Sequence, residues 1–509
     1  MTSSANYVFG DVIAPSSVPG IPAGFQGNRL PVVPDVLSVN KVARASLPVL
    51  RPNNPLTFPI PTGMGQGYFK RGSAFIRAIL NVKNPNGTGF PSVAAATANT
   101  TYNVDFSGPS YNSSILKHMQ RFRVGQNTCY DMTYYGIYSS LAKFWQVGKQ
   151  YAETEMLVNT KQGPLPLVTV TDTTKYPNAT DPLFTMTLQN TAAAGLPFME
   201  VQVPIIIPVD CPILDHPSED LPLFMLPSLE YEITLSPRDD ILLARQAGAN
   251  LTHNYSAQGG LSWTLTDCEM HYEVILPGPV YEKQYIDTRQ ATGSPHQMYF
   301  TEFNGYLFNA GTIGNGAISS FTTQIGYTAN SYNGMLVTRV TNAPTTPGTP
   351  SVIAYGDPVA TLPWAFANPG ITRFQVEVDG TKQIQEDIIP DKTFVQGVAN
   401  ATPSIAENNL RFFLETRKFF SSTSNFLKNI ITACRQLRNQ HYWCTGLSSQ
   451  RVGEEDMIMR GVPVGRFVTP LIQFTGDAQN YGNLGTSLYF FLARTSTLNL
   501  FPGNVEVST

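Results

Sequence analysis

Charged side chains are scarce in this sequence. Lys, Arg, Asp and Glu make up 14% of its 509 residues, against about 25% in an average globular protein. The 33 basic and 36 acidic residues leave a net charge of −3, which does not favour nucleic-acid binding. The first 40 residues contain only Asp11, Arg29 and Asp35 as charged residues, whereas a terminal arm that binds nucleic acid is normally basic. We therefore predict no sequence-specific nucleic-acid binding.

Cysteines and long apolar runs are also rare. The five cysteines form an odd, sparse set that is typical of reduced, buried thiols: Cys129, Cys211, Cys268, Cys434 and Cys444. No run of 18 apolar residues occurs, so a transmembrane helix is not expected. The opening MTSSANYVFG has neither the basic nor the apolar region of a signal peptide. We expect synthesis in the cytoplasm, without secretion.

Apolar residues and turn formers are plentiful. The chain is 42% apolar and 11% aromatic, with 40 Gly and 39 Pro, a composition that favours a β protein with long loops. Its length exceeds the roughly 250–300 residues at which single cores stop growing. We therefore predict two domains, each with its own core.

Short strands dominate the predicted secondary structure. Leu229–Leu235, Cys268–Val274 and Phe374–Val378 alternate apolar and polar residues, and residues 487–492 form an apolar run typical of a buried strand. Few helices are expected. They cover 113–121, 134–146, a segment from the capping box Ser404–Glu407 through Arg417, and 424–437.

The chain divides into two similar halves. Each half ends in a pair of apolar strands after a connection that contains a helix, over residues 198–276 and 457–500. Residues 1–62 contain ten prolines and are predicted to form an extended arm that lies on protein. We predict an all-β fold with a few inserted helices: an arm at 1–62, sandwiches at 63–280 and 281–502, and a tail at 503–509.

Candidate chemical sites are weak, and we assign no catalytic, cofactor-binding or metal-binding residue. The loop Asp210–Asp220 offers carboxylates and His216 to a divalent ion, but it also fits a turn with a helix cap. Two other groups lack the spacing of a known site: Cys434, His441 and Cys444 for zinc, and Gly311–Gly316 for a dinucleotide. A basic run could meet phosphate, although a solvated or subunit-facing surface explains it better: Lys117, His118, Arg121 and Arg123.

Several hydrophobic patterns resemble one known family. Leu196–Pro204, Leu221–Pro227, Leu229–Leu235 and Cys268–Leu276 are similar to the end of the first barrel in double jelly-roll major capsid proteins. Further segments are similar to matching regions of the virophage and Polinton-like proteins of that lineage, which includes adenovirus: Ser114–Val124, Tyr134–Leu141, Asn409–Arg417 and Met457–Phe474. The resemblance covers most of residues 63–502.

The resemblance implies a double jelly roll, in which two consecutive eight-stranded barrels occupy 63–280 and 281–502. It further implies a homotrimer that acts as a pseudo-hexameric capsomer and self-assembles into the icosahedral shell of a double-stranded DNA virus. The expected partners are neighbouring capsomers reached by the N-terminal arm, a single jelly-roll penton protein and minor capsid proteins. The implied location is the virion after synthesis in the host cytoplasm, and contact with an inner membrane is compatible with it.

Two other classes of function stay open at this point. A trimeric viral spike or adhesin would bind a host receptor or glycan through its loops, but no fibrous shaft repeat is visible. A β-sandwich glycan hydrolase or lyase needs two carboxylates facing one cleft. Glu230 and Glu232 share one strand face, which the alternation places towards solvent. We therefore expect a structural protein without catalytic activity.

Overall fold

Alternating side chains build the strands as the sequence predicts. In Leu229–Leu235 every apolar side chain is buried and every polar one lies on the opposite face. The computed structural model describes residues 37–83, 101–106, 116–146, 186–189, 200–215, 217–236, 242–246, 252–254, 262–312, 318–341, 352–354, 371–389, 391–395, 404–408, 410–423, 444–449, 461–475 and 485–508.

Fifteen of the described strands belong to the first half of the chain. They are β1 (Leu37–Arg44), β2 (Val49–Leu50), β3 (Pro55–Ile60), β4 (Tyr68–Phe69), β5 (Phe75–Lys83), β6 (Thr101–Phe106), β7 (Lys117–Val124), β8 (Asn127–Thr133), β9 (Met186–Gln189), β10 (Glu200–Pro208), β11 (Leu221–Pro222), β12 (Leu229–Leu235), β13 (Leu242–Gln246), β14 (Thr252–Asn254) and β15 (Ser262–Leu276).

Fourteen further described strands lie in the second half. They are β16 (His296–Thr312), β17 (Ile318–Thr322), β18 (Ile325–Gly326), β19 (Ala329–Thr341), β20 (Val352–Ala354), β21 (Ile371–Val378), β22 (Thr381–Lys382), β23 (Asp391–Val395), β24 (Ser404–Asn408), β25 (Cys444–Ser448), β26 (Val462–Val464), β27 (Phe467–Thr475), β28 (Gly485–Phe501) and β29 (Asn504–Ser508).

The described helices are few and lie between strands. They are α1 (Tyr135–Gln146), α2 (Pro212–Asp215), a 3₁₀ turn at Leu223–Met225, α3 (Pro279–Thr292) and α4 (Leu410–Thr423). The helix α3 joins the two halves, with proline at its start and Gly293 in the left-handed conformation at its end. No helix in the described part of the chain is both long and apolar enough to cross a membrane.

The first unit is a sandwich of a seven-stranded and a four-stranded sheet. The seven-stranded sheet has the order β10-β5-β15-β4-β11, with β1 and β2 also paired to β15, and the four-stranded sheet has the order β3-β12-β7-β8. Eight of these strands alternate between the two sheets in the order of a jelly roll. They are β1, β3, β5, β7, β8, β10, β12 and β15.

The second unit repeats this strand order. Its six-stranded sheet runs β16-β28-β19-β25, and its facing sheet runs β17-β27-β21-β22, with β18 also paired to β27. The positions of β16, β19, β25 and β28 therefore correspond to those of β1, β5, β10 and β15. The predicted fold, two consecutive eight-stranded jelly rolls, is confirmed, although the two halves have no visible sequence identity.

Insertions from both units meet in a separate sheet. Its order is β20-β14-β13-β6-β9, and β20 comes from the second unit while the other four strands come from the first. In the first unit these strands lie in the connections β5–β7, β8–β10 and β12–β15. The sequence alone does not indicate that these distant segments pair with each other.

The predicted ends of the two units need correction. Residues 37–60, assigned to the arm at 1–62, form β1 to β3, and β1 pairs with β15 over its whole length, from Leu37 opposite Leu276 to Arg44 opposite Glu269. The proline-rich pattern concealed these strands, because prolines such as Pro55 and Pro59 occupy positions in β3. The predicted tail 503–509 also contains a strand, since β29 pairs with β28.

Two predicted helices also differ from the structure. The segment 113–121 overlaps β7, where pairing with β12 and β8 imposes a strand. Ser404–Glu407 does not cap a helix, because Ser404–Asn408 pairs with β23 and the helix begins only at Leu410. The helix predicted at 134–146 is confirmed as α1, and the one predicted at 424–437 lies outside the described residues.

Candidate functional site

The acidic loop after β10 forms a buried ion pair with the start of the basic run. The Lys117 ammonium lies 2.9 Å from Asp210 Oδ2, donates to the Pro208 carbonyl at 2.9 Å, and lies 4.9 Å from the centre of the Tyr135 ring. The Lys117 side chain is fully buried, and Asp210 also accepts a hydrogen bond from the Ser139 hydroxyl. This pair joins β7, α1 and the loop after β10, so its role is structural.

The rest of the acidic loop contacts protein as well. Asp220 Oδ1 accepts from the Arg71 backbone N–H at 3.0 Å. Burial raises the pKa of the Asp220 carboxyl, and the hydrogen bond and charge of Arg71 oppose that rise. Glu219 lies 3.4 Å from His296 of β16. His216 is outside the described residues, and no group of three or more metal-binding side chains occurs among the described ones.

Arginines and carboxylates alternate on the outer face of the four-stranded sheet. Arg121 lies 3.3 Å from Asp131 and 3.5 Å from Glu232, and Arg123 lies 3.5 Å from Glu230 and 3.6 Å from Glu232. Glu230 is 40% exposed, but Glu232 is only 12% exposed. The two glutamates thus face outward, as predicted, and pair with the basic run instead of facing each other across a cleft.

The other sequence-predicted groups are only partly covered by the structure. His118 lies edge-on to Tyr134, and burial lowers the pKa of its imidazole. Cys434, His441 and residues 313–316 of the glycine-rich segment lie outside the described residues. Cys444 is buried in β25.

The buried cysteines allow a direct chemical prediction. Burial raises the pKa of the Cys129 thiol to about 11 and those of Cys211 and Cys268 to about 12. Because the thiolate is the reactive form, these three cysteines should not react with a disulfide reagent at pH 8 in the native protein. The measurement is thiol titration with peptide mapping, and the denatured chain is the control. Rapid native labelling at any of the three would contradict the burial.

An aromatic contact holds the two units together. The Tyr138 ring of α1 lies 4.4 Å from that of Phe303 in β16 and 5.4 Å from that of Phe491 in β28. Tyr134 lies 5.2 Å edge-on to Tyr489 of β28. The end of β8 and the start of α1 therefore lie on the outer face of the six-stranded sheet.

The backbone approaches closely at this contact. An alanine Cβ at Gly305 of β16 would lie 2.3 Å from the Thr133 carbonyl oxygen, so only glycine fits without a shift of one unit against the other. Gly305→Ala should therefore reduce the free energy of unfolding by about 1–3 kcal/mol. The matched control is Gly326→Ala in β18, where nothing lies within 4 Å of the new Cβ. Urea unfolding measures both variants, and equal stabilities would contradict the close approach.

The connecting helix α3 fixes the units at a second place. Its Glu282 carboxylate, which is buried, accepts hydrogen bonds from the N–H groups of Gly65 at 2.5 Å and Gly67 at 2.8 Å. One turn further along the helix, the Tyr285 hydroxyl lies 2.7 Å from His296 Nδ1. Burial and the nearby charge of Arg289 lower the pKa of His296 to about 4, so its imidazole is neutral at pH 7.

The residues of this contact were not found from the sequence. Tyr138, Phe303 and Phe491 have the pattern of ordinary core residues, and Gly305 stands inside a strand without any turn signal. A glycine inside a strand can mark a close backbone approach, and this was the one available signal. The contact makes the two jelly rolls one body, since a single cluster of buried apolar side chains extends through both units.

The fold has known counterparts, although no family model and no curated protein matches the sequence. The chain is similar to a chain of the Sputnik virophage, solved by cryo-EM, with a TM-score of 0.54, 11% identity, and coverage of 94% of this chain and 89% of that chain. It is also similar to the mavirus major capsid protein, with a TM-score of 0.51, 11% identity, and coverage of 96% and 95%. The likeness spans both jelly rolls.

Proposed function

We propose that this chain is the major capsid protein of a double-stranded DNA virus or virus-like element. The observation that carries the proposal is the pair of jelly rolls with identical strand order, joined by a packed aromatic contact. This is the architecture of the mavirus major capsid protein over nearly the whole of both chains. Two units with the same strand order suit a shell because they offer two similar edges to neighbouring chains.

We further propose that three copies form one pseudo-hexameric capsomer. Six jelly rolls in a ring would present similar edges in six directions, which allows identical chains to tile a closed surface. In this proposal the five-stranded sheet β20-β14-β13-β6-β9 projects from one end of the ring, because its strands belong to connections of both units. A penton protein with a single jelly roll and minor capsid proteins are the expected further partners.

The N-terminal residues are the proposed link between capsomers. Residues 1–36 precede β1 and contain only Asp11, Arg29 and Asp35 as charged residues, so contact with protein is favoured over contact with DNA. At roughly 3.3 Å per extended residue, 36 residues span up to about 120 Å. The proposed location is the virion after synthesis in the host cytoplasm, with no catalytic role, and contact with an inner membrane is compatible with it.

The native mass of the purified chain tests the proposed function. Light scattering should give about 167 kDa, three times the chain mass of 55.8 kDa, and negative-stain images should show hexagonal outlines. A trimer with an elongated outline would favour a spike or adhesin instead. A chain that stays a monomer at high concentration and never forms shells would overturn the proposal.

Deletion of residues 1–36 tests the link between capsomers. The truncation stops before β1, so every described strand is kept, and we expect soluble trimers that no longer form shells. The matched control is a chain in which residues 1–36 are replaced by a Gly/Ser segment of equal length. Normal shells from either variant, seen by electron microscopy, would show that this segment does not link capsomers.

A further inference from the structure

The contact between the two units is made by surfaces that are not equivalent. The first unit contributes β8 and α1, which follow each other as the fifth jelly-roll strand and the helix after it. The second unit contributes the outer face of its six-stranded sheet. Phe491 faces Tyr138 of the first unit, while its neighbour Phe490 stacks on Phe321 inside the second sandwich. The contact is therefore head-to-tail.

Each unit also has a counterpart of the surface that the other unit contributes, and one of these counterparts, α4, touches α1 within the chain. In the second unit, α4 lies between β22 and β25, just as α1 lies between β8 and β10 in the first. In the first unit, the seven-stranded sheet is the counterpart of the six-stranded sheet. If the contact were repeated between two chains, α4 of one chain would therefore lie on the outer face of the seven-stranded sheet of the other.

The outer face of the seven-stranded sheet carries exposed apolar side chains. Val42 of β1 is opposite His271 of β15, which is opposite Phe75 of β5, so the three form one row across the sheet. The His271 ring stacks on Phe75 at 5.1 Å, yet Val42 is 49% and Phe75 41% exposed. Val49 of β2, which is opposite Thr266 of β15, is also exposed. Exposed apolar rows of this kind mark interaction sites.

Charged residues border this row. Arg44, Glu269 and Arg77 form the next row across the same three strands. On the other side of the row, Glu273 lies in β15 and pairs with Lys70. An apolar strip with charges of both signs at its edges is the usual composition of a protein–protein interface.

The helix α4 has a matching exposed side. Phe412, Phe413, Phe419 and Phe420 are buried, and Phe419 packs beside Gly446 of β25. Leu414 is 44% exposed on the other side of the helix, and Arg417 and Lys418 are exposed beside it. Ile389 is also exposed, two residues after Asp387, whose carbonyl accepts a hydrogen bond from Arg411 of α4.

We propose that the outer face of the seven-stranded sheet binds α4 of a second copy of this chain. Within one chain, α1 packs on the outer face of the six-stranded sheet, and the proposed contact between chains has the same arrangement. Val42 and Phe75 lie on the sheet side of this contact, and Leu414 lies on the helix side. Glu269 and Glu273 on the sheet can meet Arg417 and Lys418 on the helix. A head-to-tail contact of this kind closes into a ring when its rotation allows. The inference rests on the proposed capsomer and identifies the surface that builds it.

Charge insertion at either side of this interface tests the proposal. The chain with both Val42→Glu and Phe75→Glu, and separately the chain with Leu414→Glu, should lose the trimer, so that the native mass falls about threefold to that of one chain. Val280→Glu is the matched control, because Val280 is 70% exposed on α3, outside both surfaces. Circular dichroism and thermal unfolding report whether each variant is folded.

A charge pair across the interface completes the test. Phe75→Lys combined with Leu414→Glu places opposite charges opposite each other between copies, and we expect it to restore the trimer that Leu414→Glu alone loses. If all variants keep the mass of the wild-type trimer, this interface is wrong while the proposed capsid function stands. If the wild type itself forms no trimer or shell, the proposed function fails as well. Should the sheet variants prove insoluble, Leu414→Glu at its exposed helix position decides the result.

Discussion

Replacement of Lys117 by Met should destabilise the first unit by about 3–5 kcal/mol, the usual cost of breaking a buried ion pair. The Lys117 side chain has no exposed area and Asp210 is only 12% exposed, so the variant removes a cation that lies 2.9 Å from a carboxylate largely shielded from water. The Ser139 hydroxyl also donates to the Asp210 carboxylate, whereas the Tyr135 hydroxyl donates to the Asp210 backbone carbonyl. Neither hydroxyl neutralises the charge of the carboxylate. Urea unfolding of the purified protein measures the loss.

The same experiment separates a structural pair from a metal or phosphate site. The control variant is Lys382→Met, which removes a partly exposed ion pair to Asp387 and should cost about 0–1 kcal/mol. Neither Mg²⁺, Ca²⁺, phosphate nor a chelator should change the unfolding midpoint of the wild type. Equal losses in the two variants, or a midpoint that rises with a divalent ion, would contradict a purely structural role for Lys117 and Asp210.

Replacement of Arg494 by Met should destabilise the second unit by a similar amount, about 3–5 kcal/mol. Arg494 of β28 holds Glu302 of β16 through two hydrogen bonds, Nη2 to Oε1 at 2.7 Å and Nε to Oε2 at 3.0 Å. The Ser496 hydroxyl donates to the same carboxylate at 2.7 Å. Because the Glu302 side chain is only 8% exposed, water cannot replace the guanidinium.

A conservative variant and a double variant define the origin of this loss. Arg494→Lys keeps the charge but not the two parallel hydrogen bonds, and should lose roughly 1–2 kcal/mol. The chain with both Glu302→Leu and Arg494→Met has no buried charge left, and should be more stable than Arg494→Met alone. A double variant as unstable as the single one would indicate that lost packing, and not the unpaired carboxylate, causes the effect.

The strands with a clear alternation were predictable from the sequence. In β12 and β15, the period of two follows from one buried face and one outer face, so the sequence itself carries the information. The helix α1 was also predicted. Its buried residues Ile137, Tyr138 and Leu141 recur at helical spacing. These elements depend on local pattern alone, and the fold class follows from their number and order.

Elements that depend on distant partners were mispredicted. The region Ser404–Glu407 satisfies the local rule for a helix cap, but it forms a strand because β23 supplies hydrogen bonds to it. In the same way, β1 and β3 were assigned to an arm, since only pairing with β15 and β12 makes those proline-rich segments into strands. Pairing across many residues overrides local preference when both strands bury apolar side chains.

The charged candidate residues also depend on distant partners. The sequence placed carboxylates at 210–220 and basic residues at 117–123 without indicating that they meet, and the structure pairs Lys117 with Asp210 and the arginines with Glu230 and Glu232. Residues that appeared to be separate candidate sites therefore neutralise each other. Charges brought out of water need partners at close range, and those partners come from other strands.

The sequence by itself determined that this is an all-β protein with two similar halves, few charges and no recognisable catalytic motif. Only the tertiary structure decided how the two jelly rolls contact each other, because that contact depends on Gly305 meeting Thr133 and on Tyr138 meeting Phe303 across more than 150 residues of chain. Alternation and propensity act over a few residues, whereas close approach of two backbones is a property of the packed units. The surfaces available for assembly are therefore set by tertiary packing.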